Sequence, residues 1–262
     1  MNTRITAAAL AVASFLLPST LLAQSSAIGF SGAELSLGHI NGDSGSLTTL
    51  DANADFAITA QHGFQLDVTV VDYGATWFGA IAGHLYLQPT RHAKYGVFFA
   101  YADANDIEAA TFDAGVEGIW SLGTATTLTA RAGLGRADPS EVDYIFASLG
   151  ARQALTDQLS LTGSIALLDA DEARASFTAA TYDLGLAYAL PSAPIEAYIG
   201  ASHTRISGSL ATAETRLAIG LTARIGGPRT ARAAAAARSF APVRPLRPLL
   251  ERNMVWDFVA NR

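Results

Sequence analysis

From residue 25 to residue 226 the chain alternates apolar with polar or small positions in runs of about ten, each closed by a short turn. Leu184-Gly185-Leu186-Ala187-Tyr188-Ala189-Leu190 and Leu217-Ala218-Ile219-Gly220-Leu221-Thr222-Ala223-Arg224-Ile225 carry the pattern most clearly. Period two gathers the apolar side chains on one face of a strand. No helical pattern is long enough to cover that face, so another apolar medium must meet it. Lipid is such a medium, and a sheet is stable there only when its edges close on each other. The pattern predicts strands over 28–38, 50–61, 64–72, 76–87, 93–101, 111–121, 126–135, 143–153, 159–168, 178–190, 195–204 and 213–225. The fold class is therefore all-β, a transmembrane antiparallel up-and-down barrel of about 12 strands, within roughly 10–14. About 9–11 tilted residues cross the hydrocarbon layer, and each run is long enough.

An even strand count returns both barrel ends to the periplasmic side. The odd-numbered connections then face outward and hold Asp43, Asp72, Asp103, Asp106, Glu108, Asp138, Glu141, Asp169, Asp171 and Glu172. The even-numbered ones are tight, as in Gln61-His62-Gly63, Leu122-Gly123-Thr124 and Pro191-Ser192-Ala193. Longer acidic loops outside and short turns inside are the expectation. Aromatic residues suit girdles at headgroup level: Phe64, Tyr86, Tyr95, Trp120 and Tyr188 at the periplasmic rim, Tyr73, Trp77, Tyr101, Phe112 and Tyr144 at the outer one.

The opposite face carries charge: Asp51, Asp55, Asp67, Lys94, Asp113, Glu117, Arg131, Arg152, Asp183, Glu196, Arg216 and Arg224 are expected to face the lumen. Small residues accompany them, among them Gly96, Ala100, Gly115, Gly133, Ser164, Gly185, Ala187, Gly200 and Gly220, and would leave volume inside. A soluble sandwich is also polar on one face. The even count, the girdles and the N-terminus decide for the membrane. Residues 1–23 read as a secretory signal peptide, with Arg4, an apolar stretch through Leu10, Val12, Phe15, Leu16 and Leu17, and cleavage after Ala23.

Composition then divides the chain. Residues 24–226 have a net charge of −12 and residues 227–262 one of +5. The acidic body argues against nucleic acid as a partner. The absence of cysteine excludes disulfides and thiolate metal sites. Segments such as Tyr182-Asp183-Leu184-Gly185-Leu186-Ala187-Tyr188 resemble strands of the porin-like outer-membrane β-barrel proteins of Gram-negative bacteria. The resemblance is one of class and brings no functional residue with it. It implies an outer-membrane location, contact with lipid and lipopolysaccharide, and insertion by the barrel-assembly machinery; homo-oligomerisation is left open. That class usually ends on an aromatic-terminated strand. Here the chain continues beyond 226, with Trp256 and Phe258 in a stretch that suits a displaced strand or a short apolar helix.

The expected function is passive diffusion of small polar solutes or ions, with acids and arginines facing each other to set a transverse field. The alternative is a non-conducting structural barrel whose charges pair, or whose lumen or periplasmic mouth the basic tail occludes. An enzyme is not expected: Ser202 and His203 are adjacent on a strand and point to opposite faces, while His39, His62, His84 and His92 fall singly. Asp103-Ala104-Asn105-Asp106 lacks the glycine and distal glutamate of a calcium loop. No cofactor or resident metal is expected; the outer acids solubilise loops or share divalent cations with lipopolysaccharide phosphates. In the 227–262 extension, residues 229–238 favour a helix and Pro242, Pro245 and Pro248 an extended polyproline-like run. By parity the extension begins in the periplasm. Its expected state is a solvated chain end, the alternatives being a fold back into or across the periplasmic mouth, or contact with a periplasmic partner or anionic lipid.

Overall fold

The computed structural model describes residues 28–250, apart from 75–76, 105–108, 139–140, 173–174, 209–210 and 227–237. The expected signal peptide, Asp106, Glu108, Trp256 and Phe258 lie outside the described residues. The strands are β1 (Gly29–Gly42), β2 (Gly45–Ala57), β3 (His62–Asp72), β4 (Trp77–Thr90), β5 (Ala93–Ala104), β6 (Ala110–Leu122), β7 (Thr126–Asp138), β8 (Val142–Ala154), β9 (Leu159–Glu172), β10 (Ala175–Ala189), β11 (Ile195–Gly208) and β12 (Thr212–Gly226). Each pairs antiparallel with its sequence neighbours. β1 also pairs with β12, from Gly32 opposite Gly226 to Asn41 opposite Leu217, which closes the barrel. Both ends of the barrel chain therefore reach one rim, here the proximal rim; the hairpins after β1, β3, β5, β7, β9 and β11 form the distal one.

All twelve expected strands are present, but they run further at the distal rim. β1 extends to Gly42 and β2 starts at Gly45, so residues 43–44 alone make the turn, with Gly45 at φ 116° closing it. β9 likewise reaches Glu172 and β10 starts at Ala175. The expected contrast between long outer loops and short inner turns is absent, because connections at both rims span two to five residues. The polar residues that read as loop still donate and accept in the ladder. Their inward neighbours Ile40 and Leu47 are buried, which holds the strand ends together.

The outer wall is apolar from rim to rim. Leu37, Leu66, Ile81, Leu85, Phe99, Val116, Leu134, Ile145, Leu149, Leu167, Leu184, Ile199, Leu217 and Ile219 are all exposed. So continuous an apolar exterior is that of a membrane-spanning barrel. Phe64 stacks on Phe56 at 4.8 Å and Tyr95 meets Trp120 at 5.7 Å near the proximal rim, with Tyr188 exposed at the same height. Tyr101 meets Phe112 at 5.0 Å and Trp77 is exposed towards the distal rim. Tyr86 and Tyr144 do not join these girdles. They share the inward parity of His84 and Phe146 and are buried, and Tyr73 packs against the interior cluster. Height along a strand suggested an interfacial role for these three; alternation sends Tyr86 and Tyr144 to the other face.

Candidate functional site in the lumen

The alternation places all twelve expected charged residues on the inner wall, where burial requires each to find a partner. Lys94 lies 3.0 Å from Asp55, Arg131 2.6 Å from Glu117 directly opposite it in the ladder, and Arg152 2.5 Å from Glu196. Arg224 reaches Glu34 at 3.0 Å and Glu196 at 3.3 Å, while Arg216 reaches Glu214 at 3.4 Å near the distal rim. The Tyr144 hydroxyl donates to Asp113 at 2.7 Å. The expected transverse field is thus replaced by local pairs and short clusters.

One circuit among these groups was not legible as a site. Both ring nitrogens of buried His84 face carboxylate oxygens, Asp67 at 3.0 Å and Glu117 at 2.5 Å, an arrangement that an imidazolium satisfies with two donated hydrogen bonds. Asp67 accepts from Gln65 Nε2 at 2.6 Å, and Glu117 accepts from Arg131 at 3.0 and 2.6 Å. The circuit therefore runs Gln65, Asp67, His84, Glu117, Arg131 across β3, β4, β6 and β7. Alternation along β4 turns His84 inward, and only the register brings it between two acids.

Several inward glycines do not leave open volume. Tyr86 stands opposite Gly63, Phe98 opposite Gly115, Phe146 opposite Gly133, Tyr144 opposite Gly135 and Tyr198 opposite Gly220. In each pair the ring occupies the place a Cβ would take on the glycine. An aromatic laid over a cross-strand glycine fills the wall and covers backbone at once. Towards the distal rim the interior is mainly apolar, with Ile40, Leu47, Phe78, Phe98, Phe146, Leu168, Phe177 and Ile206 in one buried cluster.

What remains of the lumen holds the C-terminal segment. Gly226, at φ 70°, ends β12 in a conformation that L side chains rarely adopt. Residues 238–250 then run inside the barrel from the proximal end towards the distal cluster, which corrects the expectation of a solvated extension for this part of it. Lys94 donates to the Arg238 carbonyl at 3.1 Å. Gln65 makes two bonds to Phe240, accepting from its N–H at 2.8 Å and donating to its carbonyl at 2.9 Å. Arg131 donates to the carbonyls of Ala241 at 2.6 Å and Pro242 at 3.0 Å. Further along, Arg244 lies 3.6 Å from Asp51 and Arg247 3.0 Å from Asp183. Val243, Leu246 and Leu249 join the apolar cluster, and a single helical turn, α1 (Arg247–Leu250), ends the described segment against β10.

A signal for this placement exists in the sequence. Pro242, Pro245 and Pro248 recur every third residue, as do Val243, Leu246 and Leu249, and as do Arg244 and Arg247. A polyproline helix has three residues per turn, so such a repeat makes three faces: proline, apolar and cationic. The turns that finish the segment keep the same period, with Arg247 N–H donating to Arg244 and Leu249 N–H to Leu246. The apolar face meets the distal cluster and the cationic face meets the two aspartates. The prolines alone indicated only extension.

Elsewhere, Ser202 is buried on the inner wall while His203 is exposed outside and lies 2.9 Å from Thr215 Oγ1, so the two share no site. A broad apolar groove of about 1180 Å³, lined by Leu66, Ile81, Phe99, Phe112, Leu134 and Ile145, lies on the lipid-facing wall.

No protein-family description matches the chain, and no curated protein matches it by sequence. Its fold does match solved structures. The NanC porin superposes with a TM-score of 0.55 at 9% identity, over 72% of this chain and 98% of that one. A KdgM porin in complex with disordered oligogalacturonate gives 0.53 at 10% identity, over 72% and 98%. A bacterial polysaccharide outer membrane secretin gives 0.51 at 9% identity, over 74% and 98%. The chain thus has the twelve-stranded fold of porin-like outer-membrane β-barrels, and differs from an open cylinder by carrying its own C-terminal segment inside.

Proposed function

We propose that this protein is a porin-like outer-membrane barrel, closed at rest by residues 238–250, that passes small polar solutes or ions by passive diffusion when the segment is withdrawn. The observation that carries the reading is the threaded segment, bonded to Gln65, Lys94 and Arg131 and paired with Asp51 and Asp183. The polar proximal wall supports passage of polar solutes, and the porin-like fold agrees with it. Phe240, Val243, Leu246 and Leu249 are buried, each contributing roughly 1.5–3 kcal/mol. These side chains and the polar bonds together oppose the cost of ordering the backbone. No covalent link fastens the segment to the wall, so it is held but displaceable.

Planar-bilayer recording tests this. The full chain is expected to be nearly silent, and a barrel truncated after Gly226, shown to be folded by heat-modifiable gel migration, to give open steps. Equal conductance of the two proteins would overturn the plug. A folded truncated barrel that stays silent would favour a structural barrel sealed by its distal apolar cluster.

A further inference from the structure

Resting on the assignment of residues 238–250 to the lumen, we propose that the inner wall is a receptor for extended cationic peptides, and that the C-terminal segment is its built-in ligand. The ligand class is a proline-spaced peptide with an aromatic residue followed by arginines four and seven positions later, extended through the first arginine and wound into a single turn at the second, as in Phe240, Arg244 and Arg247.

Main-chain recognition comes first. Gln65 binds both backbone groups of Phe240, Lys94 binds the carbonyl of Arg238, and Arg131 binds two successive carbonyls. These contacts read an extended backbone whatever its side chains, much as strand addition does. Side-chain recognition is separate. The Phe240 ring stacks on His84 at 5.5 Å, meets Tyr86 edge-on at 6.2 Å, and lies 5.2 Å from Lys94 Nζ. Its place exists because residue 96 is glycine: a Cβ there would come within 3.2 Å of the ring's Cζ. Asp51 and Asp183 then take the two guanidinium groups.

The receptor groups are held by the wall and not by the segment. Thr69 donates to Asp51 at 2.7 Å and Ser164 to Asp183 at 2.8 Å. Asp67 orients Gln65, and Glu117 orients Arg131, through the His84 circuit. A site preorganised in this way keeps its shape when its occupant leaves, which is the condition for another peptide to enter. The proline-spaced stretch before the turn adds to this because it is already extended and loses less freedom on binding.

The test uses the full chain with a protease site placed within 227–237, cut after folding so that the segment is no longer tethered. A fluorescent synthetic peptide of residues 238–250 is then added to the detergent-solubilised barrel, and anisotropy is read. Saturable exchange is expected. A peptide with Arg244→Gln and Arg247→Gln should bind at least about tenfold more weakly, and so should the native peptide on an Asp51→Asn, Asp183→Asn barrel. Combining both changes should cost little more than either, since each removes the same pairs. A barrel truncated after Gly226 and shown to be folded by heat-modifiable migration gives the same readout without cleavage. Failure of the peptide to bind either form, or equal competition by a scrambled peptide of the same composition, would overturn the proposal. Binding is read independently of current, so silence of the folded, truncated barrel in the bilayer would reject the channel and leave this result standing.

Discussion

Glycine decides how much room the inner wall offers, and a ring on the next strand takes it. At Gly115 an added Cβ would run into the Ala132 carbonyl oxygen and lie 2.7 Å from Phe98 Cζ and from Gly133 Cα, while at Gly163, which has the outward parity of Leu161 and Ile165, the nearest atom is 3.7 Å away. Gly115→Ala is therefore expected to destabilise the barrel by roughly 1–3 kcal/mol and Gly163→Ala to change it by no more than about 0.5 kcal/mol, as read by denaturant unfolding in detergent. Equal effects would remove the role given to glycine on the inner wall. His84 sits at the other extreme of chemistry. His84→Leu leaves Asp67 and Glu117 facing an apolar group inside the wall, and a loss of roughly 3–5 kcal/mol is expected in the same assay. The twelve inward charges were legible because alternation fixes the face of every residue once one is placed. Tyr86 and Tyr144 were misread because their height along the strand suggested girdles while their parity contradicted it. The company of His84 was not legible at all, since Asp67 and Glu117 approach it from β3 and β6 only through the register.

Strands and segment obey different periods, and each period chooses a partner. The twelve strands follow period two and set an apolar face against lipid. Their centres were legible for that reason, while their distal ends were not, because residues such as Thr48 and Ser46 carry no stripe yet still pair with His39 and Asn41. The C-terminal segment follows period three, and its apolar face has a partner only inside the barrel. Leu246→Asp places a carboxylate in that apolar layer and should detach the segment, forfeiting roughly 2–3 kcal/mol of burial and adding the cost of an unpaired charge. Limited digestion with chymotrypsin reads the outcome: the bond after buried Phe240 should resist cleavage in the native chain and yield in the variant. Resistance in both proteins would mean that the apolar face is not what holds the segment.

The whole barrel is divided along its axis. Most buried charge gathers near the rim that bears both ends of the strand chain, with the Arg216–Glu214 pair set apart near the other rim, where apolar side chains otherwise fill the lumen. The segment crosses from the first zone to the second, meeting backbone donors where the wall is polar and aliphatic side chains where it is not. This order requires entry from the rim where β12 ends, so the direction of threading and the parity of the strands state one orientation. Asp43, Asp72, Asp103, Asp138 and Asp169 stand at the opposite rim, where acids suit an outer surface bearing divalent cations. The chain has no cysteine, so a single engineered thiol reports its own side of the membrane. Asp43→Cys, exposed in the β1–β2 turn, should react almost completely with a membrane-impermeant maleimide on intact cells. Ala60→Cys, exposed in the β2–β3 turn, should react only at background level until the outer membrane is permeabilised. The reverse pattern would place the segment's entrance at the cell surface, and the plug would then have to be withdrawn from outside. Labelling of both thiols before permeabilisation would show that the chain does not span the membrane as a barrel.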